Sequence, residues 1–228
     1  MKPRTILRII VHAGAVFPLV WTIFDYFVDR LTFNPIQAAM QRSGQAAIVL
    51  LLLTLTCTPV STYFRFPGVI PIRRTLGLYT FFYAAIHLFI YMGLDYQFNW
   101  THLLSSLVEK PFIIAGLTAF IILSILAATS FKYWMKKLGK EWKMLHRLVY
   151  LAGFIVILHY AWAKKGNLFT LQGDELLPLI ALIIYVGLMA VRLPFFRRFV
   201  TAWRRADKVI PPLTRKGEKD ERKYNPCR

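Results

Sequence analysis

Two histidines lie inside apolar stretches of the chain that are long enough to cross a membrane. His87 falls within residues 75–94, and His159 falls within residues 144–163. Ionisable side chains are costly in lipid, so those found there usually face the interior of a helix bundle and serve a function. Neutral imidazole is a frequent ligand of iron, and two imidazoles can bind one iron from opposite sides. If helices bring these rings to one depth, the pair predicts a site for an iron-containing macrocycle.

The elements that must position these histidines are membrane-spanning helices. Of the 228 residues, 57% are apolar and only 18% are charged, which is too little polar surface for a soluble domain. Six runs approach the ~20 residues with which a helix crosses the hydrocarbon layer, and they cover about 9–28, 44–62, 75–94, 111–130, 144–163 and 175–194. None alternates like a barrel strand, so we predict an all-α integral membrane protein with six transmembrane helices.

The domain organisation follows from these runs. The helix bundle is predicted to occupy residues 1–200, and no internal repeat is visible in it. Residues 201–228 are predicted to form a basic cytoplasmic tail that is largely disordered. The stretch "RRFVTAWRRADKV" could continue as a basic surface helix, whereas "IPPLTRKGEKDERKYNPCR" is too polar and too rich in helix breakers to fold. Between the third and fourth spans, "DYQFNWTHLLSSLVEK" predicts a short amphipathic element on the outer surface. Cys57 and Cys227 offer neither a disulfide pair nor a metal-ligand spacing.

The positive charge of the chain indicates its orientation rather than a nucleic-acid partner. The net charge is +18, which could favour a polyanion. With the tail set aside, however, 12 Lys and Arg lie on the side of the N-terminus and 5 lie across the predicted membrane. A positive-inside bias explains this distribution. We therefore predict that both termini are cytoplasmic and that lipid, not nucleic acid, surrounds the chain.

His87 and His159 are predicted to lie at matching depth in the membrane. Both spans run outward, and His87 is about eight residues, or ~12 Å, from the outer end of the third span. His159 is about five residues, or ~8 Å, from the outer end of the fifth span. Two parallel helices that offer imidazoles at one level can hold a heme edge-on between them. A proton relay and a plain packing pair are the alternatives.

The inner half of the bundle contains a second set of candidates. His146 precedes His159 by thirteen residues, which is ~20 Å along a helix, so the two cannot serve one site. His146, with His12 as a candidate partner, predicts a second heme or another cofactor site near the inner surface. An interhelical hydrogen bond is the alternative for each ring. Arg74 and Arg147 could bind heme propionates or a flavin phosphate, although topology alone also explains them.

Several motifs, in this order, resemble those of a known family of membrane proteins. They are "NPIQ" (34–37), "RSG" (42–44), "RRTLGLYTFFYAAIHLFIY" (73–91), "KPFIIAGL" (110–117), "LAATS" (126–130) and "KKLGKEWKMLHRLVYLAGFIVILHY" (136–160). Over roughly residues 8–200 the chain resembles the MsrQ family, formerly YedZ, the heme-binding membrane subunits of the bacterial protein-methionine-sulfoxide reductase system. That family belongs to the wider ferric-reductase-like transmembrane group, whose hemes lie between the third and fifth helices of the motif.

The resemblance implies an electron-transfer subunit in the bacterial inner membrane. It would contain heme b and FMN and pass electrons to a periplasmic molybdopterin enzyme that reduces methionine sulfoxide in proteins. The motif histidines of the family correspond to His87, His146 and His159, and the histidine of its first helix corresponds to His12. Where relatives with two hemes have another histidine on the third helix, this chain has Arg74, so the standard inner pair is absent.

The source of electrons and the reaction leave alternatives open. The sequence after the sixth span is too short for a dinucleotide-binding domain, so we expect a cytoplasmic flavin reductase or quinol as the donor. Substrate reduction would then take place on the partner. One rival function is a free-standing ferric or metal reductase at the outer face. Another is a cofactor-free transporter or proton channel, which would more naturally contain helices broken at the midplane.

Overall fold

The computed structural model describes residues 3–164, 176–194 and 196, which are mostly helical. In chain order the helices are α1 (Pro3–Phe27), α2 (Pro35–Tyr63), α3 (Ile70–Phe89), α4 (Trp100–Glu109), α5 (Pro111–Ala128), α6 (Lys132–Leu138), α7 (Glu141–Leu145), α8 (Leu148–Ala163) and α9 (Leu176–Ala190). A 3-10 turn precedes α3 at Pro67–Val69, and a π-helix continues it at Ile90–Asp95.

The all-α membrane fold predicted from composition is confirmed. Five helical segments in the described residues are long and apolar enough to cross a membrane: Thr5–Phe27, Pro35–Tyr63, Pro67–Asp95, Pro111–Ala128 and Glu141–Ala163. They correspond to the first five predicted spans. The sixth, 175–194, contains α9, whose 15 residues are fewer than predicted. The predicted tail 201–228 lies outside the described residues.

Asparagine side chains define where two of the helices begin. Asn34 precedes α2, and its side-chain oxygen accepts a hydrogen bond from the Gln37 amide at 3.1 Å. Asn99 precedes α4 and accepts one from the His102 amide at 3.3 Å. Each bond satisfies an amide that has no partner within its own helix. The amphipathic segment predicted between the third and fourth spans is therefore a helix, α4.

Two predicted spans are not regular helices throughout. Residues 75–94 end in the π-helix, which Gln97 and Phe98 follow with φ of 48° and 55°. Residues 144–163 lie in the span Glu141–Ala163, which is interrupted where α7 ends at Leu145 and α8 begins at Leu148. The Arg147 amide donates to Met144 O rather than to the carbonyl four residues back, so the α-helical ladder is interrupted there.

The helices pack mainly as two antiparallel pairs, α2 with α3 and α5 with α8. Small side chains allow close approach: Ala46 and Ala47 of α2 belong to a buried cluster that also includes Leu76 of α3. Ala152 of α8 is fully buried. Many large apolar side chains elsewhere are exposed, for example Phe17, Phe24 and Phe27 of α1. Such a surface suits lipid contact and not water.

A buried tyrosine joins α1 to α3. Pro18 lies inside α1 and has no amide proton to donate to the preceding turn. The Tyr83 hydroxyl of α3 donates to Ala15 O at 2.6 Å and accepts a hydrogen bond from the Leu19 amide at 3.2 Å. It thus lies between two groups that would bond to each other in a regular helix. Tyr83 therefore satisfies the backbone of α1 and fixes that helix beside α3, one turn from His87.

Candidate bis-histidine site

His87 of α3 and His159 of α8 lie side by side in the structure. Their ring centroids are 6.1 Å apart and the ring planes are nearly perpendicular, at 86°. α3 and α8 each belong to a different antiparallel pair, so the rings meet where the two pairs face each other. The two rings therefore lie at one level of the helix bundle. Their role as metal ligands stays a prediction.

Backbone carbonyls fix the tautomer of both rings. Nδ1 of His87 donates to Met40 O of α2 at 2.8 Å, and Nδ1 of His159 donates to Phe112 O of α5 at 2.7 Å. A carbonyl can only accept, so Nδ1 must have the proton in each ring. Nε2 then has no proton and keeps its lone pair for a metal. Within the described part of the chain it makes no hydrogen bond. This is the state in which imidazole binds a metal.

A glycine lies against each imidazole. A Cβ added at Gly44 would be 3.1 Å from Nδ1 of His87, and one added at Gly116 would be 2.8 Å from Nδ1 of His159. Both distances are shorter than ordinary contacts, so any larger residue would displace the ring from its present position. Gly44 and Gly116 are thus required for close packing between the histidine and the neighbouring helix.

The two halves of the site are related by a constant offset in sequence. Met40 and Phe112, Gly44 and Gly116, and His87 and His159 each differ by 72 positions. Carbonyl and histidine are 47 residues apart in both halves. The pair α2–α3 is therefore repeated, in local geometry, by the pair α5–α8. No repeat is visible in the sequence as a whole, because only a few contact residues preserve this correspondence.

The residues present fit a heme and not a bare metal ion. Within the described residues no group of three or more His, Cys, Asp or Glu side chains could hold an ion. Two imidazoles leave the remaining positions of a six-coordinate iron to a macrocycle. The ring centroids are 6.1 Å apart, so His87 and His159 are the residues that would hold the iron of such a macrocycle.

His146 lies at the break between α7 and α8, apart from the first two rings. Its Nδ1 donates to Trp142 O at 3.1 Å, and its ring packs on the Trp142 indole with centroids 4.1 Å apart. Ser130 Oγ lies 3.5 Å from His146 Nε2. The single hydroxyl proton of Ser130 is donated to Leu126 O at 2.7 Å, so it cannot also satisfy His146. His146 therefore packs between α7 and the end of α5, with Nε2 directed towards Ser130.

His12 contacts α3 rather than His146. A 2.9 Å hydrogen bond joins its Nδ1 to the Tyr79 hydroxyl, and the two rings meet edge to face. His12 is nevertheless exposed, although it lies within the span Thr5–Phe27. The predicted pairing of His12 with His146 stays a prediction, and the contacts found for the two rings involve different elements.

The predicted arginines are near the N-terminal ends of α3 and α8. Arg74 is exposed on α3, and its guanidinium is 6.0 Å from the centre of the Phe131 ring. Arg147 is exposed next to His146. The neighbouring Arg73 donates to the Thr58 hydroxyl at 3.2 Å. Exposed arginines at this position are accessible to an anionic group such as a propionate or phosphate.

Sequence reasoning found the histidines but missed Gly44, Gly116 and the two accepting carbonyls. Glycine is frequent in membrane helices, so neither residue is conspicuous alone. The constant spacing of 72 between paired residues is the signal that could have identified them. This spacing becomes visible only when the sequence that contains His87 is aligned with the sequence that contains His159.

The fold defines a helical membrane protein in which two histidines from different helices meet, and comparison with known proteins gives its class. Residues 43–158, from Ser43 in α2 to the residue before His159, match the family described as ferric reductase like transmembrane component. Three similar proteins are each called protein-methionine-sulfoxide reductase heme-binding subunit MsrQ. The chain belongs to the MsrQ family.

The similarity covers most of this chain and most of each relative. The protein from Xanthomonas axonopodis pv. citri (strain 306) is 36% identical over 71% of this chain and 77% of its own length. The protein from Xanthomonas campestris pv. campestris (strain B100) is 37% identical over 69% and 75%. The protein from Bordetella parapertussis (strain 12822 / ATCC BAA-587 / NCTC 13253) is 39% identical over 61% and 68%.

Proposed function

We propose that this chain is the heme-binding membrane subunit of a methionine-sulfoxide reductase system. It passes electrons from the cytoplasmic side or the quinone pool across the bacterial inner membrane to a periplasmic molybdopterin enzyme, which reduces methionine sulfoxide in proteins. The observation that carries this proposal is the meeting of His87 and His159 at 6.1 Å with both Nδ1 atoms bound to carbonyls. The names of the relatives, which include heme binding and methionine-sulfoxide reductase, support it.

The residues of the site would hold heme b by its iron. Heme bound there supplies one-electron redox chemistry. Met40 O and Phe112 O keep each Nδ1 protonated and thereby raise the basicity of the ligating Nε2. Gly44 and Gly116 leave room for the rings in this orientation. Because the helices fix all these groups before binding, little reorganisation accompanies a change in iron charge.

An absorption spectrum of the purified protein, oxidised and then reduced, tests the ligand assignment. We expect the spectrum of a six-coordinate heme b in the wild type and loss of most heme in both His87→Ala and His159→Ala. His102→Ala is the matched control because His102 is exposed on α4 and outside the spans. An unchanged heme content and spectrum in either site variant would show that the assignment is wrong.

Electron entry is proposed at the inner side of the bundle. A lipid-soluble quinol could contact the exposed His12 and Tyr79 pair, whereas a flavin reductase or bound FMN would meet the exposed Arg74 and Arg147. Heme reduction by a short-chain quinol and by a flavin reductase, measured on wild type, His12→Leu and Arg74→Ala, separates these donors. FMN is measured by its fluorescence after acid extraction, and a second heme near His146 by the heme-to-protein ratio.

Both termini are proposed to be cytoplasmic. In a variant with Cys57 and Cys227 replaced by Ser, a single cysteine at Lys136 should react with a membrane-impermeant reagent only from inside. A single cysteine at Thr101, exposed on α4, should react only from outside. The opposite pattern would reverse the proposed direction of electron flow.

A free-standing reductase is the rival with a structural observation in its favour. A polar cavity of about 610 Å³ lies at the end of the π-helix and is lined by residues that include Asp95, Asn99, His102 and Glu109. It could admit a small polar oxidant. The purified chain without a partner should then reduce ferric chelates rapidly. Under the proposed function, rapid oxidation of the reduced heme instead requires the periplasmic catalytic subunit and a protein that contains methionine sulfoxide. A colourless purified protein would favour the transporter alternative.

A further inference from the structure

The carbonyl oxygen of Met40 accepts hydrogen bonds from two side chains at once. Nδ1 of His87 donates to it at 2.8 Å, and the hydroxyl of Ser43 donates to it at 2.9 Å. Ser43 is 7% exposed, so no bulk water competes for its hydroxyl. Helical geometry also directs the amide of Gly44 at the same oxygen. A carbonyl oxygen has only two lone pairs, so these donors compete for it.

The equivalent oxygen in the other half of the site receives no such hydroxyl. Nδ1 of His159 donates to Phe112 O at 2.7 Å. The residue 72 positions after Ser43 is Ala115, which has no hydrogen-bonding side chain. The carbonyls that accept from the two imidazoles therefore differ. Met40 O also accepts from a serine hydroxyl, whereas the residue at the equivalent position near Phe112 O is an alanine.

We propose that Ser43 is a positioning residue that raises the reduction potential of the heme held by His87 and His159. This inference rests on the proposed function. An Nδ1–H that donates to a strong acceptor makes the ligating nitrogen more basic. A more basic ligand stabilises ferric over ferrous iron and lowers the potential. The Ser43 hydroxyl draws electron density from Met40 O and makes this oxygen a weaker acceptor for His87. Nε2 of His87 is then less basic, so the reduction potential of the heme is higher than it would be without the hydroxyl.

A purely structural role for Ser43 makes a different prediction. Serine hydroxyls in helices often donate to a carbonyl three or four residues back, without any effect on a ligand. In that case removal of the hydroxyl would change only the stability of α2. The reduction potential distinguishes the two roles because it depends on the difference between the two states of the iron and not on the stability of the helix.

The test is a redox titration of the full-length, heme-containing protein followed by absorbance. Ser43→Ala should increase the ferric-to-ferrous ratio at a fixed ambient potential about twofold to fivefold, since a competing hydrogen bond is worth a fraction of a full one. For a one-electron couple this is a shift of about 20 to 40 mV to lower potential. Ala115→Ser adds a hydroxyl three residues after Phe112 and should shift the potential to higher values.

The control and a second measurement exclude indirect effects. Thr118→Ala removes a hydroxyl of α5 that donates to Ile114 O at 2.8 Å, a carbonyl that neither histidine uses, and should leave the potential unchanged. The electron paramagnetic resonance g-values of the ferric heme should change in Ser43→Ala in the direction of a more basic axial ligand, and remain unchanged in Thr118→Ala.

Every outcome decides the inference. An unchanged or raised potential in Ser43→Ala with full heme content would overturn it. If Ser43→Ala fails to bind heme, Ala115→Ser decides, and an unchanged or lowered potential there would also overturn it. Failure of the proposed function is recognised separately, because His87→Ala and His159→Ala would then keep the wild-type heme content.

Discussion

Adding a single methyl group beside each histidine tests the site without removing a ligand. In Gly116→Ala the new Cβ would be 2.8 Å from both Cε1 and Nδ1 of His159, which is 0.6 Å less than the 3.4 Å at which ordinary contact begins. In Gly44→Ala the nearest atom is Nδ1 of His87 at 3.1 Å, a shortfall of 0.3 Å. The overlap at Gly116 is thus about twice as large.

The expected effects follow from these overlaps. Overpacking of this kind costs about 1–3 kcal/mol, and the gain from replacing a helical glycine by alanine is about 1 kcal/mol. At Gly116 the His159 ring must move away from Phe112 O, and lost support of a ligand typically weakens metal binding about 10-fold to 100-fold. At Gly44 a ring shift of a few tenths of an ångström suffices, so heme affinity should fall less than about tenfold.

The measurement is the heme-to-protein ratio after purification, followed by titration of heme into the heme-free protein. Gly14→Ala is the matched control, since a Cβ added there meets nothing within 4 Å. It should bind heme like the wild type and be slightly more stable. The reasoning would be refuted if Gly116→Ala kept wild-type affinity, or if Gly44→Ala lost more affinity than Gly116→Ala.

Three further predictions concern the framework that holds the site. Tyr83→Phe leaves two backbone groups of α1 without their partner and should lower the free energy of unfolding by about 1–3 kcal/mol, measured by thermal unfolding in detergent. Asp25→Ala removes the carboxylate that Arg42 contacts at 2.6 Å. Because Arg42 is partly exposed, the free energy of unfolding should fall by about 1–3 kcal/mol. The double variant Asp25→Ala/Arg42→Leu should recover part of that free energy. Tyr185→Phe removes a 2.8 Å hydrogen bond to Tyr150 O and should cost about 1 kcal/mol in the same assay, with heme content unchanged.

The histidine pair could be predicted because depth in a membrane is a count of residues. His87 and His159 each lie in an apolar run whose outer end is marked by polar residues, and a fixed rise per residue converts the count into a level. The structure brings the rings to 6.1 Å. Their mutual orientation could not be predicted, because rotation of each helix about its axis depends on packing with α2 and α5.

The break at His146 could not be predicted from apolarity. Hydropathy is insensitive to whether backbone hydrogen bonds run to the third or the fourth preceding residue, and residues 144–163 are mostly apolar on both sides of the break. What fixes the break is Trp142, whose indole donates to Thr129 O at 2.9 Å and whose carbonyl accepts from Nδ1 of His146. These contacts join α7 to the end of α5, which a sequence taken one segment at a time does not show.

The repeat explains why the two ends of the bundle differ in chemistry. The offset of 72 that relates His87 to His159 also relates Arg74 to His146. The level of His87 and His159 therefore has imidazoles at both equivalent positions, whereas the level of Arg74 and His146 has one guanidinium and one imidazole. Arginine keeps its proton under all ordinary conditions, so it cannot act as a neutral nitrogen donor as histidine does. We therefore expect that the level of Arg74 and His146 does not hold a second iron between two histidines, which the heme-to-protein ratio checks.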